Sequence, residues 1–212
     1  MHEFSNFFVM KYSNIFQLHL ETIAVNGQQL DIEPSVFRPS RRHLTIADSG
    51  TSLAFLADGA YDPFINAIAA AVTRSARQVV KNSDRCFITS TSVDLSFPSI
   101  TLHFAGGAVM NLKPKNYLYS EDQETHCIAW KRNYGSQVTI LGDIVLMDKI
   151  IVHDMENMVF GWMDFNCSQS VNVTSSIRKK HVNSGHVSCN MSAITGFSII
   201  LAHILILCHF YR

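Results

Sequence analysis

The sequence predicts an all-β fold with one prominent helix. Three observations favour it: short segments in which polar and apolar residues alternate, turn residues that divide these segments at near-regular spacing, and 14 Phe and 6 Tyr in 212 residues. Aromatic side chains pack well on pleated sheets, and short strands at regular spacing are typical of a barrel or a sandwich.

Predicted strands follow one another along residues 17–163. The first runs into Asn26-Gly27, which is a strong hairpin signal, and a later pair is divided by the turn Gly106-Gly107. The last two strands are joined across Glu156-Asn157. The predicted strand ranges are 17–25, 99–105, 109–112, 126–131, 138–141, 149–155 and 158–163.

Residues 60–74 interrupt the strand pattern. Apolar residues recur there at helical spacing, with Asp58 as the predicted N-cap and Pro63 in the first turn, where a missing N–H costs little. A second, shorter helix is predicted for 144–147, with Asp143 as its cap.

Composition excludes several classes of protein. Seventeen basic residues balance seventeen acidic ones, which excludes a nucleic-acid-binding protein that works through bulk charge. At 47% hydrophobic and 16% charged residues, the chain is too apolar to stay unfolded. The ten His and five Cys show neither His-x3-His nor Cys-x2-Cys spacing, so we expect no metal site and no cofactor.

Three parts follow one another along the chain. Residues 1–165 are expected to be globular, 166–192 form a polar stalk, and 193–212 are nearly all apolar. The tail is predicted to be a helix that attaches the protein to a membrane, as either a transmembrane span or a GPI-attachment signal. Asn166 and Asn172 lie in glycosylation sequons, and the first residues lack the features of a signal peptide.

Two short sequences, far apart in the chain, carry the candidate chemistry. An apolar segment is followed directly by Asp48, Ser49, Gly50 and Thr51. A later apolar segment ends in Ile-Leu-Gly-Asp at 140–143. The first sequence by itself indicates only a turn, in which an Asp side chain binds backbone N–H groups.

The combination resembles the ψ-loop of pepsin-like aspartic proteases, in which a carboxylate on a tight glycine turn is supported by a later strand. Over residues 17–167 the chain is most similar to the C-terminal lobe of the plant, nepenthesin-like branch. The segments that carry the resemblance are 23–27, 48–51, 53–56, 60–61, 97–100, 104–107, 117–118, 127–128, 140–143, 152–154, 161–162 and Cys167.

The resemblance implies an all-β, pepsin-like lobe and a role for each loop residue. Asp48 would be one carboxylate of a catalytic pair that shares a proton, because two neighbouring carboxylates cannot both ionise. Thr51 would donate to its outer oxygen, Ser49 would contact the opposite loop, and Gly50 would permit the turn. The supporting strand would be Ile140, Leu141 and Gly142.

One Asp-Ser/Thr-Gly sequence is present, whereas a pepsin-like protease uses two, one from each lobe. The resemblance therefore implies an aspartic endopeptidase that acts on peptide or protein substrates, with this chain as a truncated fragment. Alone it is expected to be inactive, and activity would need the N-terminal lobe or a second copy. The alternative is a non-catalytic binding protein of the same fold, similar to the plant xylanase inhibitors.

The resemblance also implies a disulfide between Cys86 and Cys127, and a pairing of Cys167 with the absent lobe. Disulfides persist in oxidising compartments. The expected location is therefore the secretory pathway or the cell surface.

Overall fold

Four sheets of short strands make up the fold. The structure, a computed structural model, describes residues 5–8, 10–12, 15–154, 158–167 and 202–207, and of 5–16 and 202–207 it describes the backbone alone. The strands, numbered in chain order, are β1 (Ser5–Phe8), β2 (Met10–Tyr12), β3 (Ile15–Leu18), β4 (Leu20–Val25), β5 (Gln28–Gln29), β6 (His43–Ala47), β7 (Ala54–Ala57), β8 (Arg77–Lys81), β9 (Asp84–Ile88), β10 (Ile100–Phe104), β11 (Val109–Leu112), β12 (Leu118–Ser120), β13 (Thr125–Ile128), β14 (Trp130–Asn133), β15 (Gln137–Leu141), β16 (Lys149–Asp154), β17 (Val159–Asp164) and β18 (Ala202–Leu207). The α-helices are α1 (Asp58–Ala71), α2 (Val93–Ser96) and α3 (Asp143–Leu146), and 3₁₀ turns lie at Pro34–Val36, Ala105–Gly107 and Pro114–Asn116.

The sheets have the strand orders β1-β17-β16-β18, β11-β10-β4-β5, β12-β13-β9-β8 and β14-β7-β15-β6-β3-β2. Most neighbours are antiparallel, whereas β15 is parallel to β6 and β14 is parallel to β7. This confirms the predicted mostly-β fold. The six-stranded sheet positions the candidate site.

Two predicted strands are each divided between two sheets. The strand predicted for 17–25 breaks at His19: Leu18 pairs with β6, and Leu20 pairs with Phe104 of β10. The strand predicted for 126–131 breaks at Ala129, whose N–H donates to Tyr117 and whose carbonyl accepts from Ala54. The apolar pattern runs through both breaks because the residues on either side of each break are buried in one shared core.

The hairpins turn at residues with positive φ. Asn26 and Gly27 have φ of 48° and 76° between β4 and β5, as an Asn-Gly turn of type I′ requires. A hairpin that we did not predict, β8–β9, turns at Asn82 and Ser83, both with positive φ. The β16–β17 hairpin is confirmed, and its predicted turn at Glu156-Asn157 lies outside the described residues.

The prominent helix is present, but its beginning differs from the prediction. α1 begins at Asp58, so this residue belongs to the first turn and the N-cap position is Ala57. Pro63 consequently lies inside the helix and not in its first turn. The short helix α3 likewise begins at Asp143, with Gly142 at the cap position.

A single core joins the sheets to α1. The helix buries Ala60, Phe64, Ile65 and Ile68, and the Phe64 ring meets the Trp130 ring edge-on with 5.1 Å between centroids. The core also takes in side chains from α2, α3 and strands of all four sheets.

The apolar tail differs from the predicted helix where the structure describes it. Ala202–Leu207 is the strand β18, which pairs antiparallel with β16 from Lys149 to Asp154. Runs of Ile and Leu suit a buried strand as well as a helix, and the edge of β16 offers hydrogen-bonding groups to pair with. The rest of 193–212 lies outside the described residues, and no helix among those described has the length and apolarity to cross a bilayer.

Candidate functional site

β6 ends at the residue that carries the candidate chemistry. Asp48 follows Ala47 directly, and its N–H donates to the carbonyl of Leu141 at 3.0 Å. This bond extends the parallel ladder in which Leu141 of β15 lies opposite Ala47 of β6. The backbone of Asp48 is therefore fixed by the end of β15, as the resemblance implied.

The carboxylate of Asp48 is oriented by its own loop. Its Oδ1 accepts from the Gly50 N–H at 3.0 Å, and its Oδ2 accepts from the Thr51 hydroxyl at 2.6 Å. The turn is closed by the Thr51 N–H, which donates to the Asp48 carbonyl at 3.2 Å. Asp48 is half-buried. Because each carboxylate oxygen accepts a hydrogen bond from the loop itself, the carboxylate is held in one orientation.

Gly142 is required by a close approach of two backbones. A Cβ at this position would lie 2.0 Å from the Leu53 carbonyl oxygen and 2.6 Å from that of Thr51. Any side chain here would push the strand end away from the loop. Gly50 is less constrained, since a Cβ there would meet Asp48 Oδ1 at 3.2 Å.

The beginning of α3 completes the support. The Asp143 N–H donates to the Thr51 carbonyl at 2.7 Å, and the Ile144 N–H donates to the Ser52 carbonyl at 3.2 Å. Unsatisfied donors at the start of a helix thus bind the loop that carries Asp48. We did not predict this role for α3, because the sequence shows only that a helix can begin there.

β15 lies between the two strands that flank the loop. Ile140 is paired in parallel with Ile46 of β6 and antiparallel with Phe55 of β7. The chain therefore passes from β6 through the Asp48 loop to β7, on either side of a strand that comes from much later in the sequence. This is the ψ-loop arrangement that the resemblance implied.

The predicted loop residues are brought together: 48–51 face 140–142 across these contacts. Ser49 is exposed at the tip of the loop, and its predicted contact with an opposing loop stays a prediction.

The disulfide between Cys86 and Cys127 is present. The two residues are directly paired on β9 and β13, and both are fully buried. Cys167 is also disulfide-bonded, whereas the resemblance implied a pairing with the absent lobe. Of the two predicted glycosylation sites, Asn166 is exposed and Asn172 lies outside the described residues.

Comparison with known proteins identifies relatives over the same region. The profile of the family described as Xylanase inhibitor C-terminal matches residues 16–164. Aspartic proteinase 36 of Arabidopsis thaliana is 34% identical over 163 residues, which cover 74% of this chain and 34% of that protein. Aspartic proteinase nepenthesin-2 of Nepenthes gracilis is 28% identical over 163 residues, covering 73% of this chain and 36% of that one.

Solved structures show the same fold. The crystal structure of edgp superposes with a TM-score of 0.65 at 15% identity, covering 76% of this chain and 45% of that chain. The chain spans about a third of the length of these curated relatives. The chain belongs to the xylanase inhibitor C-terminal family and shares a pepsin-like fold with the plant aspartic proteinases.

Proposed function

We propose that Asp48 is one of the two catalytic carboxylates of an aspartic endopeptidase, and that the second comes from a complementary N-terminal lobe. The observation that carries the proposal is the fixed orientation of the Asp48 carboxylate, with one donor to each oxygen from its own loop. The loop is also held from outside by the Leu141 carbonyl, the Asp143 N–H and the close approach of Gly142, which a local aspartate turn does not require.

The proposed chemistry follows from the pairing of two carboxyl groups. Two like charges at short distance cannot both persist, so the pair holds one proton between its members and titrates as a unit. One carboxylate takes a proton from a water molecule, which attacks the peptide carbonyl, while the protonated partner polarises the carbonyl oxygen. The donors at Gly50 and Thr51 hold the Asp48 carboxylate in a fixed orientation for this chemistry.

The proposed chemistry requires a second carboxylate beside Asp48. A single carboxylate has no acid beside it to share a proton, so the chain by itself would not hydrolyse peptides at a useful rate. Activity would appear when an N-terminal lobe, or a second copy of this chain, brings another carboxylate to Asp48.

The test joins this chain to the N-terminal lobe of Aspartic proteinase 36 and measures casein cleavage at acid pH. We expect the fusion to cleave casein and to be inhibited by pepstatin, and Asp48→Asn to abolish cleavage. Asp31→Asn, an exposed acid outside the loop, should leave the rate unchanged. A fusion that folds but does not cleave would refute the proposal, as would cleavage by the unfused chain in its monomeric form.

A second function is favoured by the family itself. The matching profile is named for xylanase inhibitors, which supports a non-catalytic binding protein built on the same fold. In that case the folded fusion would neither cleave casein nor bind pepstatin, whereas an endopeptidase would do both. The complete set of loop residues at 48–51 favours the endopeptidase.

We also propose that the protein is made in the secretory pathway. The Cys86–Cys127 disulfide is fully buried in the core, and such bonds form and persist in oxidising compartments. Expression of a full-length precursor with a fluorescent fusion would test the location, and a cytosolic signal would contradict it.

A further inference from the structure

A second concave site lies outside the Asp48 loop. It is a cavity of about 420 Å³, which falls within the range of small-molecule sites. Three separate segments meet there: 111–116, 148–149 and 164–166. The charged and aromatic side chains that line it are Lys113, Lys115, Lys149, Asp148, Asp164 and Phe165.

Lys149 is the unusual residue of this cavity. Its side chain is 2% exposed, whereas lysine is almost never fully buried unless it is paired. It lies at the start of β16, directly across the ladder from Asp164 of β17, and its Nζ donates to Asp164 Oδ1 at 2.7 Å. The Asp164 side chain is 69% exposed.

The Lys149 ammonium retains donor capacity at this site. An ammonium has three N–H donors, and within the described residues Asp164 is the acceptor recorded for it. Burial of a charge is costly unless it is hydrogen-bonded and paired. A bound acceptor in the cavity would satisfy donors that Asp164 does not.

The charges of the lining favour an anion. Lys149 is paired with Asp164, and Lys115 is paired with Asp148. Lys113 is exposed and has no carboxylate partner among the residues that the structure describes. Three lysines therefore meet two aspartates, which leaves one cation in excess at the cavity.

The walls are held in place by contacts of their own. Asn116 is 2% exposed; its Oδ1 accepts from the Lys113 N–H at 3.2 Å, and its Nδ2 donates to the Met147 carbonyl at 3.0 Å. The Phe165 N–H donates to the Asp148 carbonyl at 2.8 Å. A cavity whose walls are fixed before binding loses little entropy when a ligand enters.

We propose that this cavity binds a small hydroxylated organic anion of the sugar-acid class. The carboxylate would be held between Lys113 and the spare donors of Lys149. Asn111 at the cavity offers its amide group to hydroxyls, and Asp148 accepts hydrogen bonds from them. Phe165 provides an apolar wall for the carbon skeleton. This site is independent of the catalysis proposed for Asp48.

Calorimetric titration of the full chain with D-glucuronate tests the proposal, with D-glucose as the matched probe that lacks the carboxylate. The chain is produced in a bacterial periplasm, where disulfides form. We expect saturable binding of glucuronate at one site per chain, weaker binding in higher salt, and no saturable binding of glucose. Inorganic phosphate should bind more weakly than glucuronate, because it has no carbon-bound hydroxyls to bind.

Lys113→Gln should weaken glucuronate binding about tenfold or more, since a hydrogen bond to a charged group is lost. Lys81→Gln is the matched control: Lys81 is paired with Glu121 and Asp122 beside another sheet, and binding should not change. Circular dichroism establishes that both variants are folded. The proposal is overturned if glucuronate does not saturate, if glucose or phosphate binds equally well, or if the two variants bind alike.

Discussion

Gly142 shows how a single residue determines the geometry of the candidate site. Its φ is −75°, which any residue can adopt, so its requirement is for space and not for an unusual backbone conformation. The Leu53 carbonyl oxygen occupies the position that a side chain would take.

We predict that Gly142→Ala destabilises the protein by about 3 kcal/mol or more, because a backbone atom cannot move aside as a side chain can. The matched control is Gly107→Ala, at a glycine with φ of 81° and open space around it, where the cost should be about 1 kcal/mol. Urea denaturation of both variants measures the difference. Equal losses would show that the contact at Gly142 is not tight.

At the level of single residues, the resemblance predicted correctly that the Asp48 loop lies against residues 140–142, whereas the catalytic role of Asp48 stays a prediction. Asp58 was interpreted less well. Asp58 was predicted to cap the helix, yet its carboxylate accepts from the Arg132 guanidinium and the Gly135 N–H, which follow it by 74 and 77 residues. Sequence spacing carries no information about such partners.

Among the elements, α1 is connected to β14 by charge. The Arg132 guanidinium donates to Asp58 and Asp62 and lies 4.7 Å from the centre of the Tyr61 ring. The hydrogen bond from Arg132, followed by that from Gly135, lowers the pKa of Asp58 below its usual value. The ionised carboxylate therefore stabilises the folded state.

The contribution of Asp58 to the stability of the fold depends on pH. The stabilisation by Asp58 is fully present above roughly pH 4, the usual pKa of an aspartate, and is lost as the pH falls through the lower folded value. We predict that Asp58→Asn lowers the thermal midpoint at neutral pH, and that its difference from the unmodified protein shrinks in strong acid. Arg132→Gln should also lower the thermal midpoint at neutral pH, and by less in strong acid. A difference that does not depend on pH would contradict the assignment.

The disulfide joins β9 to β13 across a sequence separation of 41 residues. A crosslink restricts the unfolded chain, and for a loop of this length the entropic model gives about 4 kcal/mol. We predict that Cys86→Ala with Cys127→Ala lowers the free energy of unfolding by up to that amount. The oxidised, unmodified protein is the reference, because reduction would also break the disulfide of Cys167. Urea denaturation measures the loss, and a double variant as stable as this reference would refute the prediction.

Strand positions were predicted correctly where the polar–apolar pattern is local. The breaks were missed where one continuous apolar pattern is divided between strands of two different sheets. His19 and Ala129 lie at such changes of sheet, and neither is a turn residue. The cavity at Lys149 was also missed, since its residues come from three segments that no short motif unites.

At the scale of the whole molecule, one core connects the sheets. Trp130 of β14 and Trp162 of β17 belong to different sheets, yet both are buried in the same cluster. A shared core of this kind favours a single cooperative unfolding transition.

We predict that variants with one tryptophan each, Trp130→Phe and Trp162→Phe, show fluorescence transitions that coincide with loss of the far-ultraviolet circular dichroism signal. The midpoint differs between the two variants, but within each variant fluorescence and circular dichroism should give the same midpoint. A fluorescence transition that precedes the dichroism change would show that the sheets unfold separately.

The place of β15 between β6 and β7 has a consequence for biosynthesis. A ribosome delivers β6 and β7 first, and the hydrogen bond from Ala57 to Thr139 spans 82 residues that must still be translated. At about 5–20 residues per second, this takes on the order of ten seconds. During that interval both strands expose unpaired edges, which are surfaces that chaperones recognise and that aggregate when left unprotected. The nascent polypeptide therefore carries the Asp48 loop without its supporting strand until Gln137–Leu141 has emerged.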